Sequence, residues 1–511
     1  MKKFIKILSI SLVFTLILSC SKEWLDVNTD PNSPESASPE LVLSAGTLEL
    51  ATFVGGYYNL LGGFWSNYWT QSNAANQYKY IDQYNIIITD FDREWNHMFA
   101  STLNDLRYVR VKAEEDEEWT IYLMATVLEC YGFQVLADLY DEIPYFEALQ
   151  GQSEGNFSAN FDSGQEIYDA LIVELDKALS KELDVLSDKT LNQDFVFGWA
   201  DAEVQPGLWV QFANTLKLKI FMRQMYARPA VAEAGVRALF NAGANFLTTD
   251  AQLDIYIDAA DQDNPLYACN VRKLNVGTNL RSSASIYNYL FDDGAVNLDP
   301  RFPYLMGPSP SGSGNVPLPQ GGFSVLSTVV DPPTVSVFVL SPTTPVPLIS
   351  EAESYFLQAE AIARGWGSGD AKTLYDAGVT ADFAKYGLDA TPYIAGGGRY
   401  AYPGGDFETQ QEAIIMAKWV SMAGTQSIEA FFETNRTHYP SYYTPVGGNY
   451  DAKYADALAA SGVIVYSLEG LTQGQFPKRI LVPQSERLTN VNTPSEILSA
   501  KVTDKVWWDT K

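Results

Sequence analysis

The sequence predicts a mainly α-helical protein whose helices carry long irregular loops and short β-hairpin insertions. Two observations support this fold class. Apolar residues recur at helical spacing in five segments, and stretches rich in Pro, Gly and Ser interrupt that pattern. A chain of 511 residues of which 46% are hydrophobic can bury a substantial core. Long irregular segments on such a scaffold are the expected places for a binding site.

The five periodic segments place apolar side chains three or four residues apart, which is the spacing of one helix face. The segment from Trp119 to Tyr140 has such a face, and Pro144 follows it as a stop. A third segment, which contains Trp209, is expected to end near Arg228 because Pro229 follows. The predicted helices therefore cover residues 119–140, 165–180, 209–228, 351–364 and 370–386.

The last two predicted helices form an antiparallel pair. The turn between them is the glycine-rich stretch GWGSG at residues 365–369, and alanines lie at the expected helix contact. Antiparallel pairs of this length are the unit of tetratricopeptide (TPR)-like stacks. No strict 34-residue repeat is visible in the sequence, so the predicted TPR-like scaffold is irregular.

Three insertions are expected in this scaffold, near residues 292–350, 388–408 and 439–474. The first is rich in Pro, Gly, Ser and Val and contains the β-like runs SVLSTVV and TVSVFVL. The second carries the turn sequences GGG and YPGGD, and the third is rich in Tyr and Gly. The first insertion is therefore interpreted as a loop and hairpin region.

The amino terminus has the pattern of a bacterial lipoprotein. Residues 1–19 are a predicted signal peptide, with three early lysines before an apolar run too short for a permanent membrane helix. The run ends in Ile-Leu-Ser before Cys20, which is the predicted site of lipid attachment. An ordinary signal peptide with a chance cysteine is the alternative. Residues 20–38 are polar and turn-rich and are expected to form a tether, followed by a single domain from 39 to 511.

Charge and cysteine content limit the partners and cross-links. The formal net charge of −28 repels nucleic acid and anionic lipid surfaces, so no nucleic-acid partner is expected. Apart from Cys20, only Cys130 and Cys269 occur. One disulfide between them is compatible with this count, and the apolar helical pattern around Cys130 predicts a core thiol.

Catalytic motifs are mostly absent from the sequence. It contains no phosphate-binding GxxxxGK[ST], no HExxH and no paired CxxC, and its two histidines, His97 and His438, are far apart. The acidic run from Glu114 to Glu118 is interpreted as a solvated helix start. The GxSxG match at 151–155 lies in a polar loop and is interpreted as coincidence. No catalytic residue, metal site or cofactor is predicted.

Aromatic residues are more abundant than a helical core of this size requires, since they make up 13% of the chain. The segment 57–73 mixes aromatic rings with amide and hydroxyl side chains, which suits sugar recognition: a ring stacks on the apolar face of a sugar, and amides bind its hydroxyls. The alternative is that these rings belong to the core of an early helix. The predicted ligand-binding residues are Trp65, Tyr68, Trp69, Gln71, Asn73, Gln77 and Tyr80, and residues 299–350 are the predicted second wall.

Several segments, spread over nearly the whole chain, resemble the SusD/RagB family of nutrient-binding outer-membrane lipoproteins. They include WLDVNTDPNSP, YGFQVLADLYDEIPYFEAL, WVQFANTLKLKIFMR, ISEAESYFLQAEAIARGW, PKRILVPQSERLTN and KVWWD. The resemblance implies a TPR-like scaffold anchored at the cell surface that caps a SusC-type TonB-dependent transporter. It implies an oligosaccharide ligand, although some members take peptides. Recognition residues vary within the family, so the predicted site rests on local composition alone.

Three functions remain open at this point. The first is a non-catalytic, surface-exposed nutrient-binding lipoprotein of the outer membrane, partnered with the transporter. The second is a surface lipoprotein hydrolase that uses two carboxylates on glycosidic bonds, which the abundance of Asp and Glu allows. The third is a transporter lid with little ligand affinity of its own.

Overall fold

The structure is a computed structural model that describes residues 37–187, 190, 192–291, 298–312 and 315–511. The predicted signal peptide, the predicted lipid site Cys20 and nearly all of the predicted tether lie outside the described residues. The domain boundaries at 19 and 38, and the single domain from 39 to 511, therefore stay predictions.

Helices dominate the described part of the chain. The amino-terminal helices are α1 Pro39–Gly55, α2 Tyr57–Trp65, α3 Lys79–Asp82, α4 Asp92–His97, α5 Leu103–Glu115, α6 Trp119–Tyr140, α7 Gly151–Glu154 and α8 Gly164–Leu179. The next are α9 Gln205–Arg223, α10 Pro229–Asn241, α11 Pro265–Tyr267, α12 Ala284–Phe291 and α13 Phe302–Leu305. The carboxyl-terminal helices are α14 Glu351–Ala363, α15 Ala371–Ala384, α16 Thr391–Ile394, α17 Phe407–Ser421, α18 Ser427–Thr437, α19 Tyr450–Leu458, α20 Gln484–Thr489 and α21 Ser495–Ser499.

The predicted mainly α-helical, TPR-like scaffold is confirmed, and most predicted helix boundaries agree with the structure to within two residues. The exception is α9, which ends at Arg223 rather than near Arg228. Residues 224–228 form the turn to the next helix, and Pro229 begins α10. A proline is well tolerated at the first position of a helix because that position needs no amide hydrogen.

Local capping explains where several helices begin. Ser163 and Glu166 form a reciprocal capping box at the start of α8. Ser350 accepts a hydrogen bond from the backbone N–H of Glu353 at the start of α14, and Asp370 caps α15 in the same way. The α14–α15 pair therefore has a defined start for each of its helices.

Short strands join distant parts of the chain. The strands are β1 Trp69–Gln71, β2 Ile143–Pro144, β3 Phe161–Asp162, β4 Ala251–Leu253, β5 Leu280–Ser282, β6 Met306–Gly307, β7 Val337–Phe338, β8 Val346–Ile349, β9 Tyr442–Tyr443 and β10 Ile464–Val465. One sheet has the order β1-β5-β7-β6 with antiparallel neighbours. β2 pairs with β3 and β4 with β8, both antiparallel, whereas β9 and β10 are parallel.

The first insertion does not form a hairpin from its two β-like runs. The run SVLSTVV, at 324–330, follows a 3-10 turn and forms turns and bends, whereas TVSVFVL contributes only the two residues of β7. β7 pairs with β6 and with β5 instead. Partners far away in sequence thus decide which part of the apolar run becomes a strand.

The acidic run at 114–118 lies between two helices rather than at the start of one. Glu114 and Glu115 end α5, and Glu118 precedes the first residue of α6. Glu117 has a φ of 57°, in the left-handed region. The prediction of a helix start is therefore wrong for most of the run, because the chain turns within it.

Helix α6 is the centre of the core. Nearly all of its side chains are buried, and it packs against α5, α8 and α9. Among the described residues, it is the one helix long and apolar enough to cross a bilayer, and its apolar window is completely buried in the protein. Cys130 lies on this helix as a buried free thiol, as predicted, and Cys269 is also buried and free, so no disulfide joins them.

A cluster of acidic and basic side chains is buried among five helices. We call it the buried charge cluster, and every one of its side chains is 5% exposed or less. Its members come from α6, α9, α14, α17 and α18: Asp138, Lys219, Arg223, Glu353, Glu360, Lys418, Glu429, Glu433 and Arg436.

The geometry of the buried charge cluster satisfies its charges. Arg436 contacts Glu360 through two N–H groups, at 2.8 and 2.9 Å, and also contacts Glu433 at 2.6 Å. Lys418 lies 3.0 Å from the same Glu433. Although burial opposes its ionisation, Arg436, Lys418 and Arg223 hold the pKa of Glu433 well below its usual range. The carboxylate therefore stays ionised inside the protein.

Removal of one partner from this cluster should destabilise the protein strongly. Arg436→Met leaves two buried carboxylates without their main cation, so we expect a loss of about 3–5 kcal/mol in the free energy of unfolding. The matched control is Arg237→Met, which removes an exposed i,i+4 pair with Glu233 and should cost about 1 kcal/mol or less. Urea denaturation followed by circular dichroism measures both. Equal effects of the two substitutions would contradict the role given to the cluster.

Candidate functional site

The structure buries the large rings that the sequence suggested as ligand contacts. Trp65 is 3% exposed, and Tyr68 and Trp69 are completely buried. The alternative interpretation, in which these rings belong to the core, is the one the structure shows. The expectation that the aromatic surplus reaches the surface here is wrong, because a ring with no exposed face cannot stack on a ligand.

Each buried ring is held by a hydrogen bond from its polar atom. The indole N–H of Trp65 donates to the carbonyl of Ile81 at 3.2 Å, and that of Trp69 donates to Leu60 at 3.2 Å. The Tyr68 hydroxyl donates to the carbonyl of Trp419. These bonds satisfy the polar atoms within the protein, as buried aromatic residues require.

Two adjacent glycines explain why the rings fit. A Cβ atom on Gly63 would lie 1.9 Å from the Trp69 ring, and one on Gly62 would lie 2.3 Å from the backbone nitrogen of Ile428. Only glycine allows helix α2 to approach both the ring and the start of α18 this closely. The segment LLGGFW is therefore a packing motif.

Below the candidate site, Asp82 connects β1 to the first insertion. Its carboxylate accepts hydrogen bonds from the Thr70 hydroxyl at 2.6 Å, the Gln71 backbone N–H at 3.0 Å and the Gln320 side chain at 2.6 Å. Asp82 is completely buried. Burial raises its pKa to about 6, and these hydrogen bonds only partly oppose that shift.

Gln71 is also a structural residue in this arrangement. It is buried, and its side-chain oxygen accepts the backbone N–H of Tyr78 at 2.6 Å. This bond closes the loop between β1 and α3. Hydrogen bonds to Gln71 and Asp82 therefore hold the base of the loop 72–78, and the tip of the loop carries the exposed side chains of Asn76 and Gln77.

A groove lies at the tip of this loop. We call it the amide groove; its volume is about 370 Å³, and it is lined by Ala75, Asn76, Gln77, Leu274, Val276 and Asn279. Asn76 and Gln77 are exposed. The two sides are joined by the pairing of β1 with β5 and by a hydrogen bond of 2.9 Å from the backbone N–H of Ser72 to the carbonyl of Asn279.

The first insertion adjoins the same loop. The side-chain amide of Asn73 donates to the carbonyl of Val330 at 3.1 Å, and the ammonium of Lys79 lies 4.9 Å from the centre of the Phe323 ring. The loop that follows β1, which carries several of the predicted ligand-binding residues, is thus in contact with the insertion predicted as the second wall. Asn73 Oδ1 is buried and has no hydrogen-bond donor among the described residues.

Arg281 lies beneath these walls as a buried cation. Its guanidinium donates to the Ser72 hydroxyl at 3.2 Å and to the carbonyl of Val335 at 2.8 Å. No salt bridge to it occurs within the described part of the chain, and desolvation lowers its pKa to about 10. Arg281 therefore links the loop to the insertion through neutral acceptors.

Of the seven predicted residues, the structure places only Gln77 in the amide groove, with Asn73 at the adjoining wall. Tyr80 lies in α3 and is partly buried against the core, and burial raises its pKa. Asn76 was missed although it lies in the same amide-rich run. Leu274, Val276 and Asn279 give no local signal, because only the pairing of β1 with β5 brings them to the loop.

The lining of the amide groove carries both polar and apolar groups. It combines amides with aliphatic side chains and contains no carboxylate. Among the described residues, no group of three or more His, Cys, Asp or Glu side chains is placed to hold a metal ion. The fold is a helical scaffold with irregular loops, and the amide groove between the loops at 72–78 and 274–279 is the candidate site.

Comparison with known proteins identifies the family. The sequence profile of the SusD-like family described as "Starch-binding associating with outer membrane" matches residues 31–456. The chain therefore belongs to the SusD/RagB family. It is a nutrient-binding protein associated with the outer membrane. The comparison with curated proteins finds no match.

Solved structures share the fold over nearly the whole chain. A SusD homolog from Bacteroides uniformis is 23% identical, with a TM-score of 0.70 over 92% of this chain and 99% of its own. A SusD-like protein from Bacteroides thetaiotaomicron is 21% identical, with a TM-score of 0.71 over 93% and 99%. A chitin-binding protein is 22% identical, with a TM-score of 0.71 over 93% and 100%.

The raised pKa of Asp82 predicts a specific pH dependence of stability. In the folded protein the Asp82 carboxyl has a pKa of about 6, whereas in the unfolded chain its pKa is near 3.8. Ionisation of Asp82 therefore lowers the stability of the folded protein as the pH rises from about 4 to about 6. Asp82→Asn cannot ionise. The stability of this variant relative to the unsubstituted protein should therefore rise by about 2.4 kcal/mol between pH 4 and pH 7. Denaturation at several pH values tests this, and a constant difference would refute it.

Proposed function

We propose that this protein is a non-catalytic lipoprotein of the cell surface that captures an oligosaccharide at the amide groove. The observation that carries the proposal is the lining of the groove, in which Asn76 and Gln77 are exposed beside Leu274 and Val276. Amides bind sugar hydroxyls, and the aliphatic side chains face the C–H surface of a sugar ring.

The family and a structural neighbour support a neutral glycan. The family description names starch, and one structure of similar fold is that of a chitin-binding protein. Both are uncharged polymers, which suits a protein with a net charge of −28 because it repels anionic ligands. A peptide ligand is the alternative within the family.

The hydrolase alternative receives no support from the groove. Glycosidases of the common type need two carboxyl groups flanking the scissile bond. The groove lining has amides at its polar positions and no acid. The alternative function as a transporter lid predicts little or no binding of any glycan or peptide. The titration described below tests it.

We further propose that the protein is lipid-anchored through Cys20 and caps a SusC-type TonB-dependent transporter. The sequence around Cys20 supports the anchor, because an apolar signal run ends in Ile-Leu-Ser before the cysteine. Several acyl chains on one residue give nearly irreversible membrane attachment. The turn-rich segment 20–38 supplies reach from the bilayer to the domain.

Binding should depend on the exposed amides of the groove. Gln77→Ala and Asn76→Ala are each expected to weaken oligosaccharide binding about 5- to 10-fold, as the loss of one hydrogen bond implies. Asn241→Ala, an exposed amide at the end of α10 that lines no part of the groove, should leave binding unchanged. Isothermal titration with maltoheptaose, chitohexaose and a peptide panel measures the effect.

The outcomes separate the three functions. Glycan binding that neither groove substitution weakens would move the site elsewhere. Absence of binding to every glycan and peptide would favour the lid. Shortening of the glycans during incubation, lost on substitution of a carboxylate, would favour the hydrolase.

Lipid attachment is tested separately from binding. Cys20→Ser should abolish incorporation of alkyne-labelled palmitate and move the protein from the membrane fraction to the soluble fraction. Ser21→Ala, the neighbouring substitution, should leave both unchanged. Continued labelling of Cys20→Ser would show that the lipid is attached elsewhere.

A further inference from the structure

A second groove lies apart from the amide groove and shares no lining residue with it. Its volume is about 440 Å³. One wall is formed by α4, α5 and the π-helical turn Met98–Thr102 between them, and the segment 147–159 forms the opposite wall. We call it the phenylalanine groove, because each wall contributes one phenylalanine, Phe99 and Phe157.

Both rings of the phenylalanine groove have surface to offer a ligand. Phe157 is 82% exposed, and no aromatic side chain in the described part of the chain is more exposed. Phe99 is partly buried, and its ring centre lies 4.7 Å from that of the buried Trp95. The groove therefore has a supported ring on its helical wall and an open ring on the other wall. The lining of the amide groove, in contrast, contains no aromatic ring.

Hydrogen bonds on both sides of Phe157 fix the segment that carries it. The Glu147 carboxylate accepts the backbone N–H of Asn160 at 3.0 Å and its side-chain amide at 2.9 Å. The side-chain amide of Asn492 donates to the carbonyl of Ser158 at 2.6 Å. An apolar ring held in water in this way costs free energy, and a ligand that covers the ring recovers it.

Two amides on the helical wall are available for hydrogen bonds with a ligand. Asn96 is exposed; its oxygen accepts from the Ser485 hydroxyl at 3.3 Å, and its NH₂ group has no acceptor among the described residues. Asn104 is partly exposed, and its side chain makes no hydrogen bond to the described residues. Both amides can therefore bind a hydroxyl group without losing a bond that the protein already makes.

The charges of the phenylalanine groove disfavour an anionic ligand. Among the described residues, its lining contains no Lys, Arg or His, and its charged side chains are Glu147 and Glu486. Hydrogen bonds from the backbone and side chain of Asn160 hold the pKa of Glu147 below its usual range, so this carboxylate stays ionised. The groove therefore favours an uncharged ligand.

This combination of groups suits a sugar ring. The faces of a pyranose are largely C–H and pack against aromatic rings, whereas its hydroxyls lie at the edge and need hydrogen-bond partners. The groove supplies rings on opposite walls and two amides beside one of them. A purely apolar ligand would use the rings but would gain nothing from the amides.

We propose that the phenylalanine groove is a second carbohydrate-binding site, for an uncharged sugar unit that packs against Phe99 and Phe157 and bonds its hydroxyls to Asn96 and Asn104. The protein then holds two sugar units at once, one in each groove. The two sites share no residue, so the second site does not depend on the first.

The test measures glycan binding in a variant whose amide groove is disabled. Asn76→Ala/Gln77→Ala should retain residual binding of maltoheptaose or chitohexaose. In this background, Phe157→Ala should weaken the residual binding about tenfold and Asn104→Ala about fivefold. The matched control is Phe146→Ala, which removes an exposed ring that lines no part of the groove and should leave binding unchanged. Isothermal titration and saturation-transfer NMR measure these affinities, and circular dichroism checks the folding of each variant.

The outcomes distinguish the two grooves. Loss of all glycan binding in Asn76→Ala/Gln77→Ala would overturn the second site and leave the amide groove intact. Residual binding that neither Phe157→Ala nor Asn104→Ala weakens would also overturn it. Failure of the unsubstituted protein to bind any glycan would overturn both sites. Toluene or a peptide that binds in a Phe157-dependent manner, where no glycan does, would show that the groove takes another class of ligand.

Discussion

The buried charge cluster is the constraint on which the rest of this structure depends. Four cations and five carboxylates taken out of water are tolerated only because each one contacts an opposite charge. Such contacts are directional, unlike apolar packing, so the cluster specifies how helices α6, α9, α14, α17 and α18 are arranged. Ion pairs of this kind add little net stability compared with apolar residues, but any arrangement that separates them leaves a buried charge unpaired.

Helix α17 connects the buried charge cluster to the candidate site through hydrogen bonds. Lys418 lies in the cluster, and the next residue, Trp419, donates its indole N–H to the carbonyl of Ser66 at 3.0 Å. The Tyr68 hydroxyl in turn donates to the carbonyl of Trp419. The loop between α2 and β1 is thus bonded to the helix that carries one of the buried cations. The groove lies on irregular loops, yet the segment that leads into its first loop is bonded to a scaffold helix.

Local patterns predicted the scaffold well and the site poorly, for a physical reason. Periodicity and capping are properties of neighbouring residues, so the bounds of α6 and α8 could be predicted closely. The burial of Trp69 depends on Gly63 and on Phe338, whose ring centre is 5.0 Å away. Similarly, Asn279 reaches the groove only through the pairing of β1 with β5. Composition pointed to the loop that carries the exposed amides, but it could not show which of its side chains point outward.

The division between buried rings and exposed amides has a consequence for specificity. The Trp69 ring packs against Gly63, and the Trp65 ring lies 5.0 Å from that of Phe431 in α18, so their replacement would disturb the packing of α2 against α18. Asn76 and Gln77 make no side-chain contact of that kind, and a change at either alters the groove without opening the core. Under the proposed function, ligand preference can therefore vary at the loop tip while the scaffold stays the same. The fold is shared with proteins only 21–23% identical, and positions such as Asn76 and Gln77, which support no core contact, are the ones that can change without altering that fold.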